Sequence, residues 1–150
     1  MTPQQSTKLP KHYASKFQAY RNIVQIIPSP LPTTIQIDTI AYDILNEVSL
    51  VTYRFTPIET GYYYLHGYAT FAPAVPVNTV CEILFWRVAG AFPSNSKIAD
   101  GANPTYMHVS YVFHLLVGEW VELQVAQNSG ANQNLLGGLL NQVFEGFRVG

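Results

Sequence analysis

Charge is what this 150-residue chain has least of. Asp, Glu, Lys and Arg make up 11% of it, against about 25% in an ordinary soluble domain. With 48% hydrophobic residues, that excludes a disordered chain, which needs high charge and low hydrophobicity. Long apolar runs are missing too: no segment reaches the ~18 residues of a membrane span. The first 22 residues are polar and lack an apolar h-region, so no secretory leader is expected. Ten glycines and ten prolines are scattered without a three-residue period, which excludes a collagen-like rod. There is one cysteine, Cys81, so no internal disulfide. It sits in the apolar run Val80-Cys-Glu-Ile-Leu-Phe-Trp86, where a buried, inert thiol is expected. Asn103-Pro104-Thr105 carries the proline that blocks N-glycosylation.

Catalytic patterns are missing as well. His12, His66, His108 and His114 are the four imidazoles, and none stands in a zinc-ligand spacing. No G-x-S-x-G, P-loop or dinucleotide fingerprint occurs, and Gly137-Gly138 has no Lys after it to build a phosphate cradle. Glu119 and Glu122 are three apart, on opposite faces of a strand, and cannot act as a pair. We expect no enzyme, no cofactor and no metal. His66, His108 and His114 fall in strands, where packed or hydrogen-bonded roles are expected.

What is present is β-structure. Strands are expected over Phe17–Ile27, Thr33–Tyr42, Leu50–Phe55, Tyr62–Phe71, Val77–Ala89, Tyr106–Val117, Glu119–Gln127, and Val143–Val149, with a short one within Leu135–Leu140. Pro28 to Pro32, Pro57 to Gly61, Pro73 with Pro76, and Gly118 punctuate them, and residues 90–105 read as a polar loop. Gly61 and Gly118 are expected at tight turns with positive φ. The pattern predicts one all-β domain, an antiparallel jelly-roll sandwich of about ten strands.

Two kinds of strand are visible. In Glu119–Val125 the residues Val121, Leu123 and Val125 should face inward and Trp120, Glu122 and Gln124 outward, giving one wet face. Tyr62–Phe71 and Tyr111–Val117 are apolar or aromatic on both faces. A sandwich covers only one face of each sheet, so the second face needs another cover. The economical one is a further copy of the chain.

Charge is unevenly placed. Lys8, Lys11, Lys16 and Arg21 precede the first acid, Asp38, so residues 1–37 carry +4 and the remainder 4 − 9 = −5. Residues 1–16 form a basic arm ahead of a 17–150 body. Four cations over this span make no dense stripe, and nucleic-acid binding is not expected; nor is a membrane.

Several segments resemble the globular head of complement C1q and the tumour-necrosis-factor superfamily. Phe17-Gln-Ala-Tyr20 is similar to its first strand and Ile35-Gln-Ile-Asp-Thr-Ile40 to its second segment. Tyr53-Arg-Phe-Thr-Pro57 with Gly61-Tyr-Tyr-Tyr64 is similar to its core motif. Leu116-Val-Gly-Glu-Trp-Val-Glu-Leu123 resembles its "L-x-x-G-D-x-V-x-L" turn, with Glu119 where Asp is usual. Phe144-Glu-Gly-Phe147 resembles its terminal "F-x-G-F" strand. The resemblance implies a homotrimer packed about an aromatic three-fold axis, for which Tyr64, Tyr68, Phe113 and Phe147 are the candidates. The collagen stalk of the complement relatives is missing, and Asp100 lacks the acidic neighbours of a calcium site. Two roles follow as expectations. One is a tailed-phage decoration or cement protein on the virion surface, its arm gripping a capsid or other virion protein through Lys8, Lys11, Lys16 and Arg21. The other is an extracellular or cell-surface trimeric head, or a fibre tip, recognising a receptor or ligand through the 90–105 loop with Phe92, Asn95, Lys97, Asp100 and Asn103.

Overall fold

The computed structural model describes residues 15–150, leaving aside the side chains of 91 and 92. Lys8, Lys11 and His12 lie outside the described residues, as does the side chain of Phe92. Thirteen strands follow one another: β1 Lys16–Tyr20, β2 Gln25–Ile27, β3 Thr33–Thr34, β4 Thr39–Asp43, β5 Val48–Ser49, β6 Arg54–Phe55, β7 Gly61–Phe71, β8 Val80–Arg87, β9 Gly90–Ile98, β10 Thr105–Leu115, β11 Val121–Gln127, β12 Gln133–Leu135 and β13 Gln142–Arg148. Three of them, β3, β5 and β6, are only two residues long.

They form two antiparallel sheets. In the first, β7 is flanked by β10 on one side and by β13 and β12 on the other, continuing through β1 to β4, with β2 beyond β12. In the second the order is β5-β6-β11-β8-β9, with β3 beside β11. The inward residues of both sheets make one core, in which Phe17, Phe55, Tyr63, Phe71, Phe85, Phe113 and Phe144 are all buried. Phe17 stacks on Phe55 at 4.6 Å between ring centroids and meets Phe144 edge-on at 5.1 Å, geometries that the ring quadrupole favours. Gly146 explains the spacing of the terminal Phe144-x-Gly146-Phe147 motif. A Cβ there would lie 2.4 Å from Leu65 Cδ2 and 2.6 Å from the Tyr64 carbonyl oxygen, so only glycine lets β13 close on β7.

Several expectations are corrected. Residues 90–105 are not one loop: Gly90–Ile98 is β9, paired along β8 from Arg87↔Gly90 to Val80↔Ile98. An edge strand can be polar and can hold a proline such as Pro93, which is why it reads as loop. Residues 17–27 break into β1 and β2. At the break, Asp38 Oδ1 accepts from the Asn22 N–H and Gln142 Oε1 from that of Arg21. In 33–42 only the two ends are strand, although Ile35 and Ile37 are buried as the alternation implied. Leu50–Tyr53 is a turn, with Ser49 Oγ accepting from the N–H groups of Val51 and Thr52 and Tyr53 at φ 60°. Val51 consequently points to solvent, 85% exposed.

The outward face of β11 is not wet. Glu122 and Gln124 are buried, at 7% and 8% exposure. Because β11 is an inner strand, Arg54 of β6 and Thr34 of β3 flank it and hold both side chains in hydrogen bonds.

Gly118 has the expected positive φ, +83°, with open space where a Cβ would stand. Gly61 does not. It begins β7, and a Cβ there would meet the Gly150 carbonyl oxygen at 2.5 Å and Arg148 Nε at 2.6 Å. The two glycines should therefore respond differently. Gly118→Asn should be nearly silent, since Asn enters the left-handed region readily, whereas Gly118→Val should cost more than ~1 kcal/mol. Gly61→Ala should already cost about that much, through collision with the chain end. Thermal melts check this, at about 2–4 °C per kcal/mol for a domain of this size.

Candidate functional site

The outer face of the first sheet carries the strongest surface feature. On β7 the outward residues are Tyr62, Tyr64, His66 and Tyr68. Register places them in rows across the strands. Tyr62 is opposite His114; Tyr64 lies between Phe147 and Val112; His66 lies between Glu145 and Ser110; Tyr68 lies between Val143 and His108. Lys16 and Gln18 of β1 extend the second and third rows, with Tyr42 of β4 beside Gln18. Tyr62 and Val112 are exposed, Tyr42 is 41% exposed, and Phe147 is 49% exposed. The rings of Tyr64 and Phe147 are 5.3 Å apart, and those of Tyr62 and His114 are 4.8 Å apart. A hollow of about 250 Å³ lies over Lys16, Tyr42, Tyr64, Glu145 and Phe147.

One polar row crosses this aromatic face. Glu145 Oε2 accepts from Gln18 Nε2 at 2.7 Å, and Glu145 Oε1 is 3.1 Å from His66 Nδ1. The His108 ring is 6.4 Å from that of His66. Among the described residues no three His, Cys, Asp or Glu come close enough to hold a metal ion.

Three of the four axis candidates, Tyr64, Tyr68 and Phe147, lie on this face. Phe113 does not. It has the opposite parity on β10 and is buried in the core at 1% exposure, edge-on to Phe85. Tyr42 of β4 also joins the face. It was not singled out in the sequence, since β4 reads there as part of a longer strand.

Lys16 and Arg21 belong to the body. Lys16 opens β1, and Arg21 Nη1 donates to the Gln36 carbonyl at 3.0 Å. Ser15 is buried, and its hydroxyl donates to Glu47 Oε2 at 2.5 Å. Glu47 also accepts from the Ile58 N–H, and burial pushes its carboxyl above the usual range.

The recognition candidates do not converge. Asn95 and Lys97 lie on β9, where Asn95 Nδ2 donates to the His108 carbonyl at 2.9 Å. Asp100 and Asn103 form a separate turn. There Asp100 accepts from the N–H groups of Ala102 and Asn103 and from Asn103 Nδ2, which pull its carboxyl down to about 2. These bonds close the turn upon itself.

No model of a known protein family matches the sequence, and none of the curated proteins does. Solved structures match closely in shape. The globular domain of zebrafish complement 1qA protein superposes with a TM-score of 0.68 over 91% of this chain and 98% of its own, at 19% identity. The fold is a C1q/TNF-like jelly roll. The Eiger TNF of S. frugiperda gives 0.67 over 91% and 92% of the two chains at 8% identity. Murine APRIL gives 0.67 over 90% and 98% at 12%. At such identities the shared property is the fold.

Cys81 takes no part in this face. It is buried, and desolvation pushes its thiol up to about 11. The native protein should therefore not react with Ellman's reagent at pH 8, while the denatured chain releases one equivalent. Prompt reaction of the folded protein would place Cys81 at the surface.

Proposed function

We propose that this protein is a non-enzymatic jelly-roll module that works as a homotrimer, assembled through the outer face of the β10-β7-β13-β1-β4 sheet. The observation that carries the reading is the outward aromatic set on that face, in which Tyr42, Tyr62 and Phe147 are exposed and Tyr64 and Tyr68 are half-buried between them. A monomer would leave it in water, and contiguous apolar patches of this kind mark interfaces. Homo-oligomers with closed symmetry are the common way to cover them, and obligate interfaces resemble a core cut in half. The likeness to C1q and TNF structures supports the same arrangement.

Light scattering at micromolar concentration should give about 50 kDa, three times the 16.7 kDa chain. Phe147→Asp, which puts a charge in the centre of the face, should cost about 2 kcal/mol or more of association and release folded monomers. A stable 16.7 kDa species from the unaltered chain would sink the reading.

In this reading the trimer is a head that recognises a partner from outside a cell. The separation of +4 in residues 1–37 from −5 in the remainder favours a second reading, a virion decoration protein whose basic arm grips a capsid protein. Exposed pairs contribute only about 0–1 kcal/mol each, so three arms per trimer would act through multivalency. A chain starting at Ser15 keeps the Glu47 anchor; it should fold and assemble like the full chain but lose particle attachment. Attachment of the full chain should weaken as salt shortens the Debye length from about 10 Å at 0.1 M to 3 Å at 1 M. Equal decoration by the shortened chain would leave the recognition head.

A further inference from the structure

The outer face of the second sheet, on the opposite side of the sandwich from the aromatic face, carries both of the chain's tryptophans. Register sets Trp86 of β8 directly opposite Glu122 of β11, and Arg54 of β6 opposite Glu122 on its other side. Trp120 precedes Glu122 by two residues on the same face. The Arg54 guanidinium lies 3.6 Å over the Trp120 ring while its Nε donates to Glu122 Oε2 at 3.2 Å. Glu122 Oε1 accepts from Thr34 Oγ1 at 3.2 Å and from Gln124 Nε2 at 2.9 Å. Beside this network lies a groove of about 300 Å³ lined by Leu31, Pro32, Trp86 and Gln124, at the lower end of small-molecule sites.

Gln124 is the deciding residue. Its amide orientation is fixed by chemistry: a carboxylate only accepts, so the atom facing Glu122 is the NH₂. That nitrogen is committed to Glu122 and Thr34. The carbonyl Oε1, on a side chain more than nine-tenths buried, receives none of the hydrogen bonds described among residues 15–150, and Gln124 lines the groove. Trp86, 37% exposed, supplies a flat ring beside it. None of the four lining residues is charged, and the nearby Glu122 is matched by Arg54.

We propose that this groove binds a neutral saccharide, one pyranose ring lying on Trp86 with a hydroxyl donating to Gln124 Oε1. A pyranose offers an apolar C–H face for the negative face of an indole and a rim of hydroxyl donors. The site has an open acceptor, a flat platform, the apolar walls Leu31 and Pro32, and no unmatched charge. A proline-rich peptide fits less well, since proline has no N–H and would leave the open acceptor Gln124 Oε1 without a donor. The site does not depend on how copies of the chain associate.

The test uses the full-length protein and a panel of methyl β-glucoside, methyl β-galactoside, N-acetylglucosamine, cellotetraose and chitotetraose, at up to about 50 mM, enough to saturate a site with a Kd of about 1 mM. At least one sugar should shift the Trp86 indole N–H and the Gln124 side-chain amide in a saturable way in ¹H–¹⁵N spectra. Trp86→Leu keeps the apolar bulk and removes the flat ring, and should weaken binding about tenfold or more. Gln124→Leu should do the same; since it also disturbs Glu122, its spectrum must first show the native dispersion, and Trp86→Leu decides alone if it does not. No saturable shift with any sugar, undiminished binding by Trp86→Leu, or saturation by a decaproline peptide in place of the sugars would overturn the proposal. A monomeric mass in light scattering would defeat the trimer reading and leave this result untouched.

Discussion

The structure depends on β7 being apolar on both of its faces. Tyr63, Leu65, Ala69 and Phe71 point into the sandwich and are buried, while Tyr62, Tyr64 and Tyr68 point out. A strand of period two exposes its residues alternately to two environments, and here neither environment can be bulk water without cost. On either side Val143 and Phe147 of β13 and Tyr106 and Val112 of β10 add apolar surface to the outward rows, beside Glu145, His108, Ser110 and His114. The low charge of the chain, 11% of its residues, fits the proposed covering of that face.

Most of the architecture could be read from the residues, because β7, β8, β10 and β13 carry long alternating or doubly apolar runs bounded by glycine and proline. The failures share a cause: they fall where pairing, rather than local sequence, decides. β9 is polar and holds Pro93, and only its place at a sheet edge beside β8 makes it a strand. Val51, alternating with Tyr53 and Phe55, reads as inward, and the Ser49-capped turn turns it out. Phe113 and Tyr64 look alike in sequence. Which of them faces the core depends on a parity that the register between β10 and β7 sets, and a one-residue slip of β10 would turn Phe113 outward.

The candidate sites show the same limit. The aromatic face was legible as a need for cover but not as a particular set, since Tyr42 joins it only through the pairing of β4 with β1. The groove proposed to hold a saccharide left less trace. Trp120, Glu122 and Gln124 alternate as a solvated face would. Nothing local reveals that Arg54 and Thr34, 68 and 88 residues from Glu122, close over it and turn Gln124 into an oriented acceptor.

The two faces differ in the kind of partner each can hold. The outer face of the first sheet is broad and largely aromatic, with Glu145, His66 and Gln18 as a hydrogen-bonded polar row and Lys16, His108 and His114 in the other rows, so it suits a large, shape-matched surface such as another copy of itself. The outer face of the second sheet is mostly closed by its own polar network, and its groove beside Trp86 has one fixed acceptor next to one ring. The hydrogen bonds to Glu122 and Thr34 hold Gln124 in one orientation, and that fixed geometry favours a small ligand over a protein. In the proposed reading assembly and recognition therefore use opposite sheets, with the aromatic core of Phe17, Phe55, Phe85 and Phe144 between them, and a change confined to one outer face reaches the other only through that core.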